Sequence, residues 1–216
     1  MKMDSIGVLI GLYPLNERDA IARVFTRDFG ILVGVMRGAL VAKKNRPLVG
    51  QVGNVSWNAR LDSQLGVFHW DAEKNLSATI MMDSKKLSCM NAAFDLLITL
   101  LPECEAYQHL YDETILMLQD LSNNESDVYL CWEISLLREL GYALDFSRCS
   151  GCGKTTDLNY LSPRTGRAVC DTCAVPYIDR LYKLPVDLNI TGCFLDAVCA
   201  QQGVQIPIMR KMLKVM

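Results

Sequence analysis

Histidine is scarce: the 216 residues hold two, His69 and His109. They are followed by Trp70-Asp71 and by Leu110-Tyr111, so neither supplies the His-x-Glu of a zinc deaminase, and Val169 rather than proline precedes Cys170. With so few imidazoles, a Ser-His or Cys-His nucleophile pair is not expected. No Gly-x4-Gly-Lys-Ser/Thr loop is present to cradle a nucleotide. Asp28-Phe29-Gly30 spells a kinase tripeptide, but no glycine-rich loop or catalytic-loop motif accompanies it, and it reads as a hairpin turn. Apolar runs are short, the longest lying around Leu96 to Leu101, far below the ~18 residues of a membrane helix. The opening Met1-Lys2-Met3-Asp4-Ser5 lacks the apolar core and cleavage site of a secretory signal. The 7 prolines and 14 glycines have no period, which excludes a collagen-like or low-complexity chain. A hydrophobic fraction of 50% excludes a disordered one. These absences predict a cytoplasmic protein that is not an enzyme and has no membrane partner.

Charge is nearly balanced in total, with 22 Lys and Arg against 24 Asp and Glu, but not along the chain. Residues 1–80 carry 10 basic and 7 acidic side chains, 81–147 carry 3 and 12, and 148–216 carry 9 and 5. No acid occurs from Phe29 to Leu61, whereas Arg37, Lys43, Lys44, Arg46 and Arg60 do. Such a stretch is either a polyanion-binding footprint or a solvated loop, and charge alone leaves both open.

The periodicity divides the chain. Ser5–Leu12, Ala20–Arg27, Ile31–Met36, Val52–Leu61 and Gly66–Trp70 are short runs of β-type residues, with Asp62–Gln64 a tight connection. Val55, Trp57 and Ala59 alternate with Asn54, Ser56 and Asn58, which marks a half-buried strand. Five short strands in about seventy residues suit a small OB-type barrel better than a sandwich. From Ser84 the period becomes helical, with Leu87, Met90, Phe94, Leu97 and Leu101 on one stripe and Pro102 as the stop. Further helices are predicted over Ala106–Leu121, from Ser126 or Asp127 to Gly141, over Asp187–Ala200 and from Pro207 to Met216. The last has no capping residue after it, and a missing tail is expected. The fold class is therefore α+β and multidomain: an OB domain over 1–80 and a helical domain over 81–216.

Nine cysteines in a cytosolic chain are not a disulfide framework. Cys149 and Cys152, then Cys170 and Cys173, form two Cys-x-x-Cys pairs seventeen residues apart. Two intervening residues let both sulfurs of a pair reach one metal at ~2.3 Å, and two pairs fill a tetrahedron. Gly151 and Gly153 allow the turn. One structural zinc is predicted, in a module at about 146–176. Cys89, Cys104, Cys131, Cys193 and Cys199 mostly fall on helical stretches and are expected in the core.

Trp132-Glu133-Ile134-Ser135-Leu136-Leu137-Arg138-Glu139-Leu140-Gly141-Tyr142, followed by Leu144-Asp145 and Arg148-Cys149-Ser150-Gly151-Cys152-Gly153, resembles the recombination mediator family RecO. Asp19 to Gly30, Val35 to Gly38 and Tyr160 to Val169 resemble other stretches of that family, in the same order. The resemblance implies an OB domain, a helical domain and a zinc module set within the latter. It implies binding of single- and double-stranded DNA, annealing of complementary strands, and action with the partner RecR. It also implies help in loading the strand-exchange protein onto DNA coated by single-strand binding protein (SSB), whose acidic C-terminal tail is recognised. Nucleoid association during repair follows from that role. Arg37, Lys43, Lys44 and Arg46 are then the expected DNA contacts, with Arg23, Arg27 and Arg60 secondary. Phe25, Phe29, Trp57, Phe68 and Trp70 are candidates for base stacking or for the core. Arg138, Arg180, Lys183, Arg210, Lys211 and Lys214 are the cations available to the tail, Arg138, Arg210 and Lys211 foremost. The competing readings are a zinc-ribbon adaptor that binds only proteins, and a zinc hydrolase, which would need an open metal position.

Overall fold

The structure, a computed structural model, describes residues 2–41, 46–59, 65–123 and 127–213. It divides into two compact units, Met1–Tyr129 with Pro207–Met216, and Leu130–Ile206. The helices over 84–123 group with the strands, so the compact units and the change of periodicity near residue 80 mark different boundaries.

Five strands open the chain: β1 (Lys2–Pro14), β2 (Ala20–Thr26), β3 (Gly30–Met36), β4 (Gln51–Asn58) and β5 (Gly66–Asn75). They close into a barrel in the order β1-β2-β3-β5-β4, with only β3 and β5 parallel. This is the five-stranded OB arrangement that the alternation predicts. β1 makes the closure possible by bending: its first half pairs with β4 and its second with β2, and a bulge falls between Leu9 and Gly11. Leu9, Val24, Leu32, Val55, Trp57 and Phe68 fill the barrel. The Trp57 indole N–H donates to the Val33 carbonyl at 2.9 Å. Gly66 makes room for that ring, because a Cβ there would stand 2.1 Å from Trp57 Cε2. β5 runs on to Asn75, past the expected end at Trp70, because its exposed half stays paired with β4. The expected Asp62–Gln64 connection, the Ser126 cap and the helix end beyond Leu213 lie outside the described residues.

The helices of this unit are α1 (Ser77–Ile80), α2 (Ser84–Leu100) and α3 (Gln108–Asn123). Asp83, not Ser84, caps α2: its Oδ1 accepts the Lys85 and Lys86 N–H groups at 2.8 and 3.2 Å. A carboxylate there meets both unpaired amides and the positive end of the helix. Met90, Phe94, Leu97 and Leu100 form the buried stripe of α2. Between α2 and α3 the chain reaches the barrel, where the Cys104 N–H donates to the Ile31 carbonyl at 3.0 Å.

α4 (Val128–Glu139) spans the boundary between units. Its end is closed by the N–H groups of Gly141 and Tyr142 on the carbonyls of Arg138 and Leu137, at 3.0 and 2.8 Å. That is the Schellman pattern expected of Gly141. The second unit continues with β6 (Tyr160–Leu161), β7 (Ala168–Val169), α5 (Asp171–Ala174), a 3-10 turn over Val175–Arg180, and β8 (Tyr182–Lys183). The strands form a small sheet in the order β7-β6-β8. α6 (Leu188–Gln202) is capped by Asp187 and holds the sheet through an edge-on contact of Phe194 with Tyr182, centroids 6.0 Å apart. The Tyr142 hydroxyl also donates to Gln201 Oε1 at 2.7 Å. α7 (Ile208–Leu213) belongs to the first unit and packs on α2.

Candidate metal centre and nucleic-acid interface

The four predicted cysteines converge. Their Sγ atoms all lie within 4.8 Å of one another, and Cys152 and Cys170 are 3.7 Å apart. A metal ~2.3 Å from each of four sulfurs sets them about 3.8 Å apart, so the spacing fits a tetrahedral ion. The first pair sits on a tight turn: the Cys149 N–H donates to the Lys154 carbonyl at 2.7 Å and the Gly153 N–H to the Cys149 carbonyl at 2.9 Å. Gly153 takes φ +77°, which lets the chain double back at no steric cost. The second pair lies on α5, with Cys170 at its N-cap. Two amides support the sulfur of Cys149, the N–H groups of Gly151 and Cys170, each at 3.4 Å. The Cys170 amide is the main reason that the Cys149 thiol is pulled down to about 6. The sulfurs of Cys152, Cys170 and Cys149 push the Cys173 thiol the other way, to about 12. One sulfur is thus readily anionic and the last is opposed, so the set carries full charge only around a cation. Thiolate donors, tetrahedral spacing and amide support fit a metal together.

Three of the other five cysteines depart from expectation. Cys104, Cys131 and Cys193 are exposed, while Cys199 is buried and Cys89 half-buried. The helical period of Cys131 and Cys193 is real, but they lie on outward faces of α4 and α6.

The structure separates the predicted basic residues into three groups. Arg37 and Arg46 are exposed, and among the described residues neither forms an ion pair. Arg23 and Arg27 are engaged by the acidic segment: Arg23 Nη1 meets Glu103 Oε1 at 3.3 Å, and Arg27 grips Asp112 in two bonds of 3.0 and 3.1 Å. Lys43, Lys44 and Arg60 lie outside the described residues. A further exposed cation, Arg18, stands near Arg37. The turn over 15–19 meets the segment after β3, with the Gly38 N–H on Asp19 Oδ1 at 2.8 Å and the Leu40 N–H on the Arg18 carbonyl at 3.0 Å. The Gly38 amide holds the Asp19 carboxyl below its usual range, and Arg18 and Arg37 add to the effect. Glu17 and Asp19 flank Arg18 in sequence and hide it from a count of net charge.

Of the aromatics, Trp57 and Phe68 are buried in the barrel and Phe25 is buried edge-on against Tyr111 of α3, so none of the three can stack on bases. Phe29 and Trp70 are half-buried against the core. Arg138 and Lys211 are exposed near the ends of α4 and α7, and Arg180 at the end of the 3-10 turn and Lys183 in β8 are exposed too, whereas Arg210 is fully buried and offers no surface charge. Lys214 lies outside the described residues. Among the described residues no helix is long and apolar enough to cross a membrane.

Residues 81–190, just over half the chain, match the family model described as Recombination protein O C terminal. The chain belongs to the RecO family. The match takes in α2 to α4, the cysteine cluster and the start of α6. Curated relatives extend it over the barrel. The DNA repair protein RecO of Dinoroseobacter shibae is 37% identical over 183 residues, 83% of this chain and 76% of that protein. The one from a Jannaschia species is 38% identical over 82% of this chain and 74% of its own length. That of Roseobacter denitrificans is 38% identical over 199 residues, 90% of this chain and 82% of its own. A RecO-family DNA repair protein with an N-terminal barrel, a helical domain and a metal-competent cysteine cluster accounts for every element described.

Proposed function

We propose that this RecO-family protein binds single- and double-stranded DNA, anneals complementary strands and, with RecR, helps load the strand-exchange protein onto SSB-coated DNA. The observation that carries the reading is a closed OB-type barrel with unengaged arginines in a segment free of acids. Two strands anneal only when their phosphates can approach, and Lys and Arg lower that repulsion while releasing counterions. Arg37 and Arg46, with Lys43 and Lys44, are the principal contacts, and Arg18 joins them. Arg23 and Arg27 contribute less while their acidic partners hold them, and Arg60 remains a secondary contact. Binding so built is indifferent to sequence, as annealing of arbitrary strands requires.

Cys149, Cys152, Cys170 and Cys173 would hold zinc. Four thiolates complete its coordination, leaving no position for water or substrate, so the ion would cross-link the module. The helical domain is assigned the acidic SSB tail, with Arg138 of the second unit or Lys211 of the first as the accessible cation for its carboxylates; the buried Arg210 is withdrawn from that surface role. Away from Arg138 the middle segment, with 12 acids against Lys85 and Lys86, would repel such a peptide.

The test is a DNA titration at two salt concentrations and a strand-annealing assay, with metal content measured on the same sample. Affinity that falls steeply with salt, faster annealing and one zinc per chain are expected. Salt-insensitive or absent DNA binding would favour an adaptor that binds only proteins.

A further inference from the structure

We infer that the metal module carries its own site for single-stranded DNA, in a cleft walled by Arg164, Arg167, Arg180 and Tyr177. The cleft encloses about 640 Å³, and none of its lining side chains is acidic. Its arginines come from two separate places. Arg164 and Arg167 belong to the turn between β6 and β7, which is pinned by the Ser162 N–H on the Arg167 carbonyl and the Gly166 N–H on the Ser162 carbonyl, both at 2.9 Å. Arg180 ends the 3-10 turn that follows α5. All three are exposed, and among the described residues none is in an ion pair. Asp145, whose carboxyl Arg167 helps to hold below its usual range, and Cys173 on the cleft wall offset part of this charge, and three guanidiniums around one concavity still favour an anion between them.

Tyr177 decides which anion. Its ring stands on the same wall with 58% of its surface exposed, an unusual position for an aromatic with no packing duty. A phosphodiester takes paired N–H donors from a guanidinium, and the base attached to it offers a flat face to a phenol ring. An acidic peptide would satisfy the arginines but would leave the ring without a partner of its own shape. A cleft of this size accommodates a phosphate together with its base. An annealing protein must also hold two strands, and the exposed arginines of the barrel serve one. This assignment rests on the reading that the protein binds DNA, and it adds a place for the second strand.

The experiment uses the full chain and a fluorescent oligothymidylate, titrated at several salt concentrations. Wild type is compared with Tyr177→Ala, with the triple variant Arg164→Ala/Arg167→Ala/Arg180→Ala, and with the barrel variant Arg37→Ala/Arg46→Ala. Metal content is measured for each. Removing three guanidiniums from the phosphate backbone should flatten the salt slope by about 2, and loss of one stacked base should weaken binding about tenfold. Zinc should stay at the wild-type level in both cleft variants. A triple variant with the wild-type slope, or a Tyr177→Ala variant with wild-type affinity, overturns the proposal, while the barrel reading stands if Arg37→Ala/Arg46→Ala still weakens binding. Loss of metal from the triple variant also overturns it, since the arginines then balance the thiolates instead. So does a triple variant that loses an acidic peptide but keeps DNA. If wild type binds no DNA, both readings fall together.

Discussion

Replacing Cys149 by serine should empty the metal centre and loosen the module around it. Cys149 is 2% exposed, and the amides of Gly151 and Cys170 support its sulfur. The module has little else to hold it: its strands are two residues long, and its core consists of Cys149, Val169, Cys170 and Ala174 with Leu158, Tyr160, Cys173 and Leu181 against them. So small a core cannot offset the conformational entropy of the loops it joins. Structural zinc contributes ~10–16 kcal/mol at neutral pH. Shared among four thiolates, one ligand accounts for ~2.5–4 kcal/mol, or about 10²–10³-fold in affinity. The assay is release of metal to a chromogenic chelator, alongside limited proteolysis within 146–183. The variant should surrender its metal at a chelator concentration that leaves wild type loaded, and should be cut in the module. Acid should do the same to wild type. Protons compete with the metal for the four thiolates, so acid releases the ion and a higher pH retains it. A Cys149→Ser protein that keeps one equivalent of metal and releases it at the wild-type rate would overturn this account of the module.

Alanine at Arg37, Lys43, Lys44 and Arg46 together should flatten the salt dependence of single-strand binding by about 3, equally for every sequence; titrations against unrelated oligonucleotides check it. Glu103→Ala with Asp112→Ala should do the reverse, steepening the dependence by about 1 as Arg23 and Arg27 are released, and an unchanged slope would mean that those arginines never meet DNA. Gly66→Ala should cost ~1–3 kcal/mol in a urea melt, because its Cβ drives into the Trp57 ring and unseats the bond to Val33. A labelled peptide with the acidic SSB tail should bind the Arg138→Ala/Lys211→Ala protein several-fold more weakly than wild type, and equal affinities would place its pocket elsewhere.

The features legible in the sequence are local ones. Cys-x-x-Cys spacing is a statement about two residues and one bond length, so the cluster is legible without any fold. Alternation around Val55 and Trp57 marks β4, and the helical stripe through Met90 and Phe94 marks α2. The features that escape it depend on partners far along the chain. Arg27 looks free until Asp112, 85 residues later, takes two of its nitrogens. The charged head of Arg210 gives no sign that it lies in the interior. β6, β7 and β8 are too short for any period, and the exposed half of β5 has polar residues that only its pairing with β4 makes a strand. Asp83 and Ser84 are both good caps, and only the geometry of the Lys85 and Lys86 amides distinguishes them.

Closure of the barrel also limits how the first unit can take a protein partner. Gly34–Met36 zips to Gly66–Phe68, and where β3 runs beyond that seam the Cys104 amide has already claimed the Ile31 carbonyl. An incoming peptide therefore finds no long row of idle backbone donors and acceptors along β3 on which to lay itself as a sixth strand. Two copies meeting by chance cannot stitch their sheets together there. Recognition is left to side chains and turns, which can be exchanged residue by residue without disturbing the strand register beneath them.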